Sequence, residues 1–399
     1  MPDRPNILFL MTDQMQARVL DPDHPCRTPN LDRLAARGIR FRRAYTTNAI
    51  CSPARAGIMT GLQPHNHGVL TVTHTVDDDQ SCLRTEHPHF AQRLEAAGYR
   101  TGYFGKWHVE RSHDLARFGW QTNGAPGSDL ARAAAGRYGA RTPPRFSLEY
   151  RLETPGYPGG RFYGVMDHRP EARPMGVTTS MALDWLDDAL AGDAPWCAFV
   201  SVSEPHDPYV CGEEAYAQVD PDALPLPPNH GHESADRPGL YRKAARIFAP
   251  MTERNHREAA ACYYASITEI DGQYGRILDR LADAGALENT VVVFTTDHGD
   301  CLGAHGLYCK NVGAYEEVYN IPLLVAGPGV AAGVVSEARV GSHDLCPTLC
   351  ALAGAAPIDH PDSRSAAGLL ADPAALEADW TAGYAEYFGG RILLTQRIV

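Results

Sequence analysis

Short apolar runs alternate along this chain with segments whose hydrophobic positions recur at helical spacing. The first run, residues 6–11, is almost continuously apolar, as a parallel strand buried on both faces requires. Thr28-Pro29 then opens a helix through Leu31, Leu34 and Ala35 that Gly38 is expected to stop. Residues 39–45 read as extended, 88–97 as a helix ended by Gly98, and 100–104 as a short strand. A helix over 177–190 leads into a strand over 196–203. A long helix over 258–284 carries Ile267, Ile270, Tyr274, Ile277, Leu278 and Leu281 on one stripe. Strands at 290–296 and 321–325 follow, and 344–353 is the last helix. This alternation predicts an α/β fold, with a mostly parallel (mixed) central sheet and helices on both faces. Ligands in such a fold bind beyond the carboxyl ends of the strands.

Two stretches break the pattern. Residues 121–174 and 208–250 are rich in Pro, Gly, Arg and Tyr, and each is long enough to be a functional loop rather than a simple connection. The end of the chain, 384–399, reads as a strand turning into a second strand at 392–399. The expected organisation is one domain over 1–380 and, over 381–399, the start of a small antiparallel C-terminal subdomain that reads as truncated.

A chain of 399 residues with 44% hydrophobic content can bury a sizeable core. The net charge of −12, with no long basic run, argues against nucleic acid as a partner. It also means that an anionic substrate needs positive charge supplied locally by particular Arg, Lys and His side chains. No stretch is long and apolar enough to span a membrane. The N-terminal apolar run is too short for a signal peptide, and a cytoplasmic location is the expectation. Ten cysteines without a C-x-x-C pair indicate reduced thiols rather than a disulfide framework or structural zinc.

The most informative segment is Cys51-Ser52-Pro53-Ala54-Arg55. Ser52 is expected as N-cap and Pro53 at the first helical position, which leaves Cys51 at a helix start. Free amides and the positive end of the dipole make that place an anion site, and Arg55 adds a fixed charge. Two strand ends carry further chemistry. The strand at 6–11 finishes in Thr12-Asp13-Gln14, and the strand at 290–296 in Asp297-His298-Gly299-Asp300. Two carboxylates, an amide oxygen and an imidazole suit a hard divalent cation, with calcium, magnesium or manganese as candidates. A single Asp is more often a cap or turn residue. Two such pairs at two strand ends, with an anion nest between them, point to a site.

These segments lie in the same order as the motifs of the type I, formylglycine-dependent sulfatase family of the alkaline-phosphatase-like superfamily, which the chain resembles. The matching residues are Pro5-Asn6-Ile7-Leu8 into Asp13-Gln14, then the C-x-P-x-R signature Cys51–Arg55 followed by Gly61. Gly105-Lys106-Trp107-His108 and Pro205-His206-Asp207-Pro208-Tyr209 come next, then Asp297-His298-Gly299, and Lys310 before Tyr315-Glu316-Glu317. Many relatives have Asp in place of Gln14 and Asn in place of His298. Both kinds of replacement occur in the family, including in phosphonate monoester hydrolases.

The resemblance implies that a formylglycine-generating enzyme converts Cys51 to formylglycine. It also implies that one divalent metal, calcium foremost, is held by Asp13, Gln14, Asp297, His298 and the modified Cys51. The implied reaction is hydrolysis of a sulfate monoester of a small molecule or carbohydrate, in which a hydroxyl of the formylglycine hydrate attacks sulfur. Arg55 would hold the diol, and Lys106 and His108 would contact its oxygens. His108 would then remove a proton, while His206 and Lys310 approach the ester oxygen of the departing alcohol. Residues 121–174 and 208–250 would surround that alcohol. The alternatives are a phosphonate monoester or phosphodiester hydrolase with the same nucleophile, and a non-catalytic relative. His65 and His67 are expected beside the site or at the surface. Cys301 and Cys309 are expected as small buried hydrophobes rather than ligands.

Overall fold

Strand β1 (Asn6–Thr12) lies inside an eight-stranded sheet, because every side chain after Asn6 is apolar or small enough to pack between two layers of helix. The computed structural model describes residues 4–77, 81–84, 86–154, 157–231, 237–310, 313–388 and 395–399. In chain order the other strands are β2 (Gly38–Tyr45), β3 (Arg100–Gly105), β4 (Thr122–Gly124), β5 (Phe146–Thr154), β6 (Tyr157–Met166), β7 (Trp196–Ser201), β8 (Tyr209–Gly212), β9 (Thr290–Thr296), β10 (Asn320–Ala326), β11 (Val334–Gly341), β12 (Ala385–Phe388) and β13 (Thr395–Ile398). The main sheet has the order β11-β2-β10-β9-β1-β7-β3-β4. Neighbours pair in parallel except that β10 runs against both β2 and β9.

The two-residue alternation of β1 divides the core. Leu8 and Leu10 face one layer with Leu186, Tyr274, Ile277 and Leu281, from the helices Pro174–Leu190 and Glu253–Asp283. Ile7, Phe9 and Met11 face the other, with Ile58, Leu94 and Leu349 from the helices Cys51–Thr60, Phe90–Ala96 and Leu345–Leu352. The mixed sheet with helices on both faces is thus as expected. The long helix starts earlier than its apolar stripe suggests, at Glu253, because Thr252 and Asn255 form a capping box ahead of it.

Four local expectations change. Gly38 does not stop the first helix, Pro29–Ala36, which ends at Arg37. Gly38 instead begins β2, where a Cβ would lie 2.0 Å from the Val325 carbonyl oxygen of β10. Ser52 is not an N-cap; the helix begins at Cys51 with Ile50 as the cap residue. Asn48 holds that entry by accepting the Ile50 N–H at 2.8 Å, and Pro53 falls within the first turn, where no intrahelical donor is missed. Residues 121–174 are not a loop: they contain β4, the helix Asp129–Tyr138, and the β5–β6 hairpin, which β8 extends to a three-stranded sheet. Residues 208–250 hold β8 and the helix Gly239–Phe248.

At the end of the chain β12 and β13 pair antiparallel. The start of the strand expected at 392–399 lies outside the described residues. Asn48 Nδ2 donates to the Glu386 carbonyl at 2.6 Å, and Glu386 N donates to the Thr47 carbonyl at 2.8 Å, so this small sheet braces the entry to the Cys51 helix. Among the described residues no helix is long and apolar enough to cross a membrane.

Candidate active site

The side chains singled out in the sequence meet at the carboxyl edge of the main sheet. Asp13 follows β1 and Asp297 follows β9, and these strands are direct neighbours in register Thr12↔Thr296. Cys51 arrives from the turn after β2, Lys106 and His108 follow β3, and His206 lies beyond β7. Gly105 permits the turn into Lys106: its φ is 88°, and a Cβ there would lie 2.0 Å from the Ser201 carbonyl oxygen.

One ligand atom each from Asp13, Cys51, Asp297 and His298 falls within 4.8 Å of all the others, and all four residues are buried. Cys51 Sγ lies 3.2 Å from His298 Nε2 and 3.8 Å from Asp13 Oδ1. His298 Nδ1 donates to the Gly299 carbonyl at 2.9 Å, which turns Nε2 toward the group.

Arg55 is wholly buried and grips both acids. Its Nε donates to Asp297 Oδ2 at 2.7 Å and its Nη2 to Asp13 Oδ2 at 2.9 Å. Nη1 donates to the Lys106 carbonyl and to Ser201 Oγ, each at 2.9 Å. Arg55 is therefore chiefly a clamp on the two carboxylates. Lys106 Nζ donates to Asp13 Oδ2 at 2.5 Å.

The electrostatics follow from this crowding. Burial opposes ionisation of Asp13, but Lys106, His206, Arg55 and Lys310 outweigh it and hold the carboxyl well below its usual range. Burial and Asp13 push Asp297 the other way, upward, in spite of Arg55 and His298. The thiol of Cys51 is opposed by burial and Asp13, yet Lys106, Lys310 and His298 bring its pKa well down.

Gln14 sits beside the group in a left-handed backbone conformation, φ 69°. Its Oε1 accepts from Lys310 Nζ at 2.8 Å. Lys310 Nζ also lies 2.5 Å from His206 Nε2, and His206 Nδ1 donates to the Asp207 carbonyl at 2.7 Å. Burial and Lys310 lower the pKa of His206, but the Cys51 hydrogen bond, Asp13 and Asp207 raise it to about 9. Burial opposes the charge on Lys310, while Cys51, Asp13, Asp207 and Asp297 raise its pKa. The pair thus carries positive charge next to Cys51.

His108 takes a different direction. Its φ is 54°, and its Nε2 pairs with His74 Nδ1 at 3.0 Å. Lys106 and His108 line one cavity of about 560 Å³ together with Thr73, His74, Arg111 and Ser203. Pro126 is also on its wall, so the 121–174 stretch reaches it.

The sulfatase family profile matches residues 5–355. The chain belongs to the sulfatase family. It is 30% identical over 376 residues to a choline-sulfatase of Rhizobium meliloti (strain 1021), a match covering 88% of this chain and 68% of that protein. It is 27% identical over 381 residues to an ulvan-active sulfatase of Formosa agariphila, covering 93% and 66%. The chain therefore spans about two thirds of the length of these relatives. The structure of a phosphonate monoester hydrolase from Silicibacter pomeroyi superposes with a TM-score of 0.78 at 25% identity, covering 96% of this chain and 80% of that one.

In this sulfatase, Asp13, Cys51, Arg55, Lys106, His206, Asp297, His298 and Lys310 share one locality, with Gln14 joined to it by its N–H donating to Asp297 and its amide oxygen accepting from Lys310. His67 is buried apart, with Nδ1 accepting from Val69 N, and His65 pairs with Glu386. Cys301 is buried and Cys309 partly so, and neither belongs to the metal-type group. Sequence reasoning gave no role to His74, Asp207, Tyr209 or Asp300. The last three lie within quoted motifs, whereas nothing around His74 marks it.

Proposed function

We propose that this protein hydrolyses sulfate monoesters, using a formylglycine made from Cys51 and one divalent cation, calcium by donor type. The observation that carries this reading is the buried convergence of Cys51, Asp13, Asp297 and His298 at the start of an Arg55-bearing helix in a sulfatase-family chain. The donors fit such an ion. Nε2 of His298 faces the group, and burial together with Asp13 disfavours a bare carboxylate at Asp297, which a cation would offset. Asp13, Asp297 and His298 would hold it together with residue 51, while the Gln14 amide oxygen, the remaining ligand expected from the sequence, faces the Lys310 ammonium at 2.8 Å. When bound, the ion supplies Lewis-acid polarisation of oxygen. A thiolate is a soft ligand, and an oxygen-bearing side chain at position 51 suits a hard ion better.

Around this centre the chain's own groups divide the work. Arg55 fixes the two carboxylates, and Lys106 and Lys310 present positive charge to a tetrahedral anion. His206 and Lys310 stand ready to donate a hydrogen to the departing alkoxide oxygen. His108, backed by His74, takes up the proton released from residue 51. The substrate is a sulfated small molecule or carbohydrate, with its alcohol portion on the side of His206 and Lys310. A formylglycine-generating enzyme is the maturation partner.

The similarity to a phosphonate monoester hydrolase supports a second reading, with phosphonate esters as substrates. Mass spectrometry of the Cys51 peptide, with turnover of matched aryl sulfates and aryl phosphonates, tests both. The expected result is an aldehyde in place of the thiol, and faster turnover of sulfates. Faster turnover of phosphonates moves the assignment to the second reading. An active preparation with an intact thiol, or turnover by Cys51→Ala, refutes the nucleophile assignment.

A further inference from the structure

Asp300 lies three residues beyond Asp297, fully buried, and outside the group formed by Asp13, Cys51, Asp297 and His298. Its carboxylate accepts four hydrogen bonds. Oδ1 takes the backbone N–H groups of Leu302 at 2.7 Å and Cys309 at 2.9 Å. Oδ2 takes the Tyr209 hydroxyl at 2.7 Å and Gln14 Nε2 at 2.6 Å. All four donors are neutral, and so dense a set is what a buried carboxylate needs when no cation reaches it. They come from the turn after β1, the start of β8, the loop after Asp300 itself and the segment that delivers Lys310. One side chain thus ties together the segments around His206 and Lys310.

The orientation of the Gln14 amide follows from this. Its Nε2 lies between two carboxylates, Asp300 at 2.6 Å and Asp207 at 3.1 Å. Turning the amide over would set its oxygen against both acids and its NH2 against the Lys310 ammonium. Oε1 therefore faces Lys310 Nζ at 2.8 Å. From the other side, Asp300 holds the N–H of Cys309, whose φ of 58° turns the chain just before Lys310.

We propose that Asp300 is a positioning residue for the side of the site where the alcohol departs: through the Gln14 amide and the Cys309 N–H it fixes the Lys310 ammonium beside His206. What Lys310 does there rests on the sulfatase reading; where it stands does not. In Asp300→Asn the shape is kept, and one oxygen can still accept from Leu302 and Cys309. The other oxygen becomes an NH2 facing Gln14 Nε2. Gln14 then turns over or withdraws, and either movement takes its oxygen away from Lys310.

Two measurements on Asp300→Asn test this. A crystal structure should show Lys310 Nζ beyond hydrogen-bonding distance of Gln14, with Asp13, Cys51, Asp297 and His298 unmoved. Kinetics over a series of aryl sulfates with graded leaving-group pKa should show a steeper dependence. Nitrophenyl sulfates should lose little kcat/KM, while the poorest leaving groups should lose on the order of 10²-fold, the scale of general acid catalysis. An equal loss across the series is what general structural damage produces and overturns the proposal. So does a structure in which Lys310 and Gln14 stay in place. If the wild-type protein turns over no sulfate ester, the sulfatase reading fails, and the crystal contacts still judge Asp300. If Asp300→Asn does not fold, Gln14→Met, which cannot accept from Lys310, takes its place. Lys310 remaining against His206 in that variant overturns the relay.

Discussion

Replacing Arg55 by methionine keeps the side chain's length and much of its volume, but removes four hydrogen bonds and the charge shared by Asp13 and Asp297. Removing one partner of a buried ion pair costs about 3–5 kcal/mol, because the other charge is left in the interior. Two carboxylates are affected here, but Lys106 still touches Asp13 at 2.5 Å, so the loss falls mainly on Asp297 and one such cost applies. At ~2.1 cal/mol/K per residue, unfolding 399 residues releases roughly 0.8 kcal/mol/K. Arg55→Met should therefore lower Tm by about 4–6 °C in chelator. Calcium supplies the missing charge at the same carboxylates, so the rise in Tm on adding saturating calcium should be larger for the variant than for the wild type. Scanning calorimetry with and without calcium measures both. A variant within about 1 °C of wild type in chelator would refute the argument that Arg55 holds the two acids together.

Asp297→Asn keeps the volume but removes one ligand charge; calcium affinity followed by tryptophan fluorescence should fall by more than ~10-fold, and unchanged affinity would place the ion elsewhere. Gly105→Ala meets both a positive φ and the Ser201 carbonyl, so the variant should unfold in urea with a stability loss of at least ~2 kcal/mol; a neutral effect would contradict the close approach. Burial lowers the pKa of His67 to about 3, so an unfolded chain takes up its proton first as pH falls. Its stabilising contribution is complete above pH 6.5 and is lost progressively toward pH 3, reaching about 2 kcal/mol of loss at pH 5. Urea midpoints at pH 7 and pH 5 should therefore converge in His67→Gln relative to wild type, and an identical pH dependence in both proteins would be the contrary result.

Most of the strands that could be read from the sequence are buried on both faces. β1, β7, β9 and β10 are continuous apolar runs and β3 is a short one after Gly98, whereas β2, which exposes Arg42 and Arg43, was legible only from its place behind Gly38. β5 and β11 were not legible, because they alternate apolar with charged residues and keep one side toward solvent. β5 also lies in a segment whose Pro and Gly content signals loop. The centre itself was legible because strand ends in this architecture collect ligands, so Asp13 and Asp297 could be paired although 284 positions separate them. Partnerships were not. The hydrogen bonds of Gln14 to Asp300, and of His108 to His74, join distant segments whose adjacency depends on the folded sheet and on left-handed backbone at Gln14 and His108. No local pattern encodes such contacts.

The neighbouring placement of β1 and β9 has a consequence for how the molecule is made. A ribosome adding ~5–20 residues per second needs roughly a quarter of a minute to a full minute between emitting Asp13 and emitting Asp297. Until then the slot beside β1 stays open and the cage around residue 51 has no far wall. During that interval the cysteine, only 2% exposed once the fold closes, belongs to a nascent polypeptide that soluble catalysts can reach.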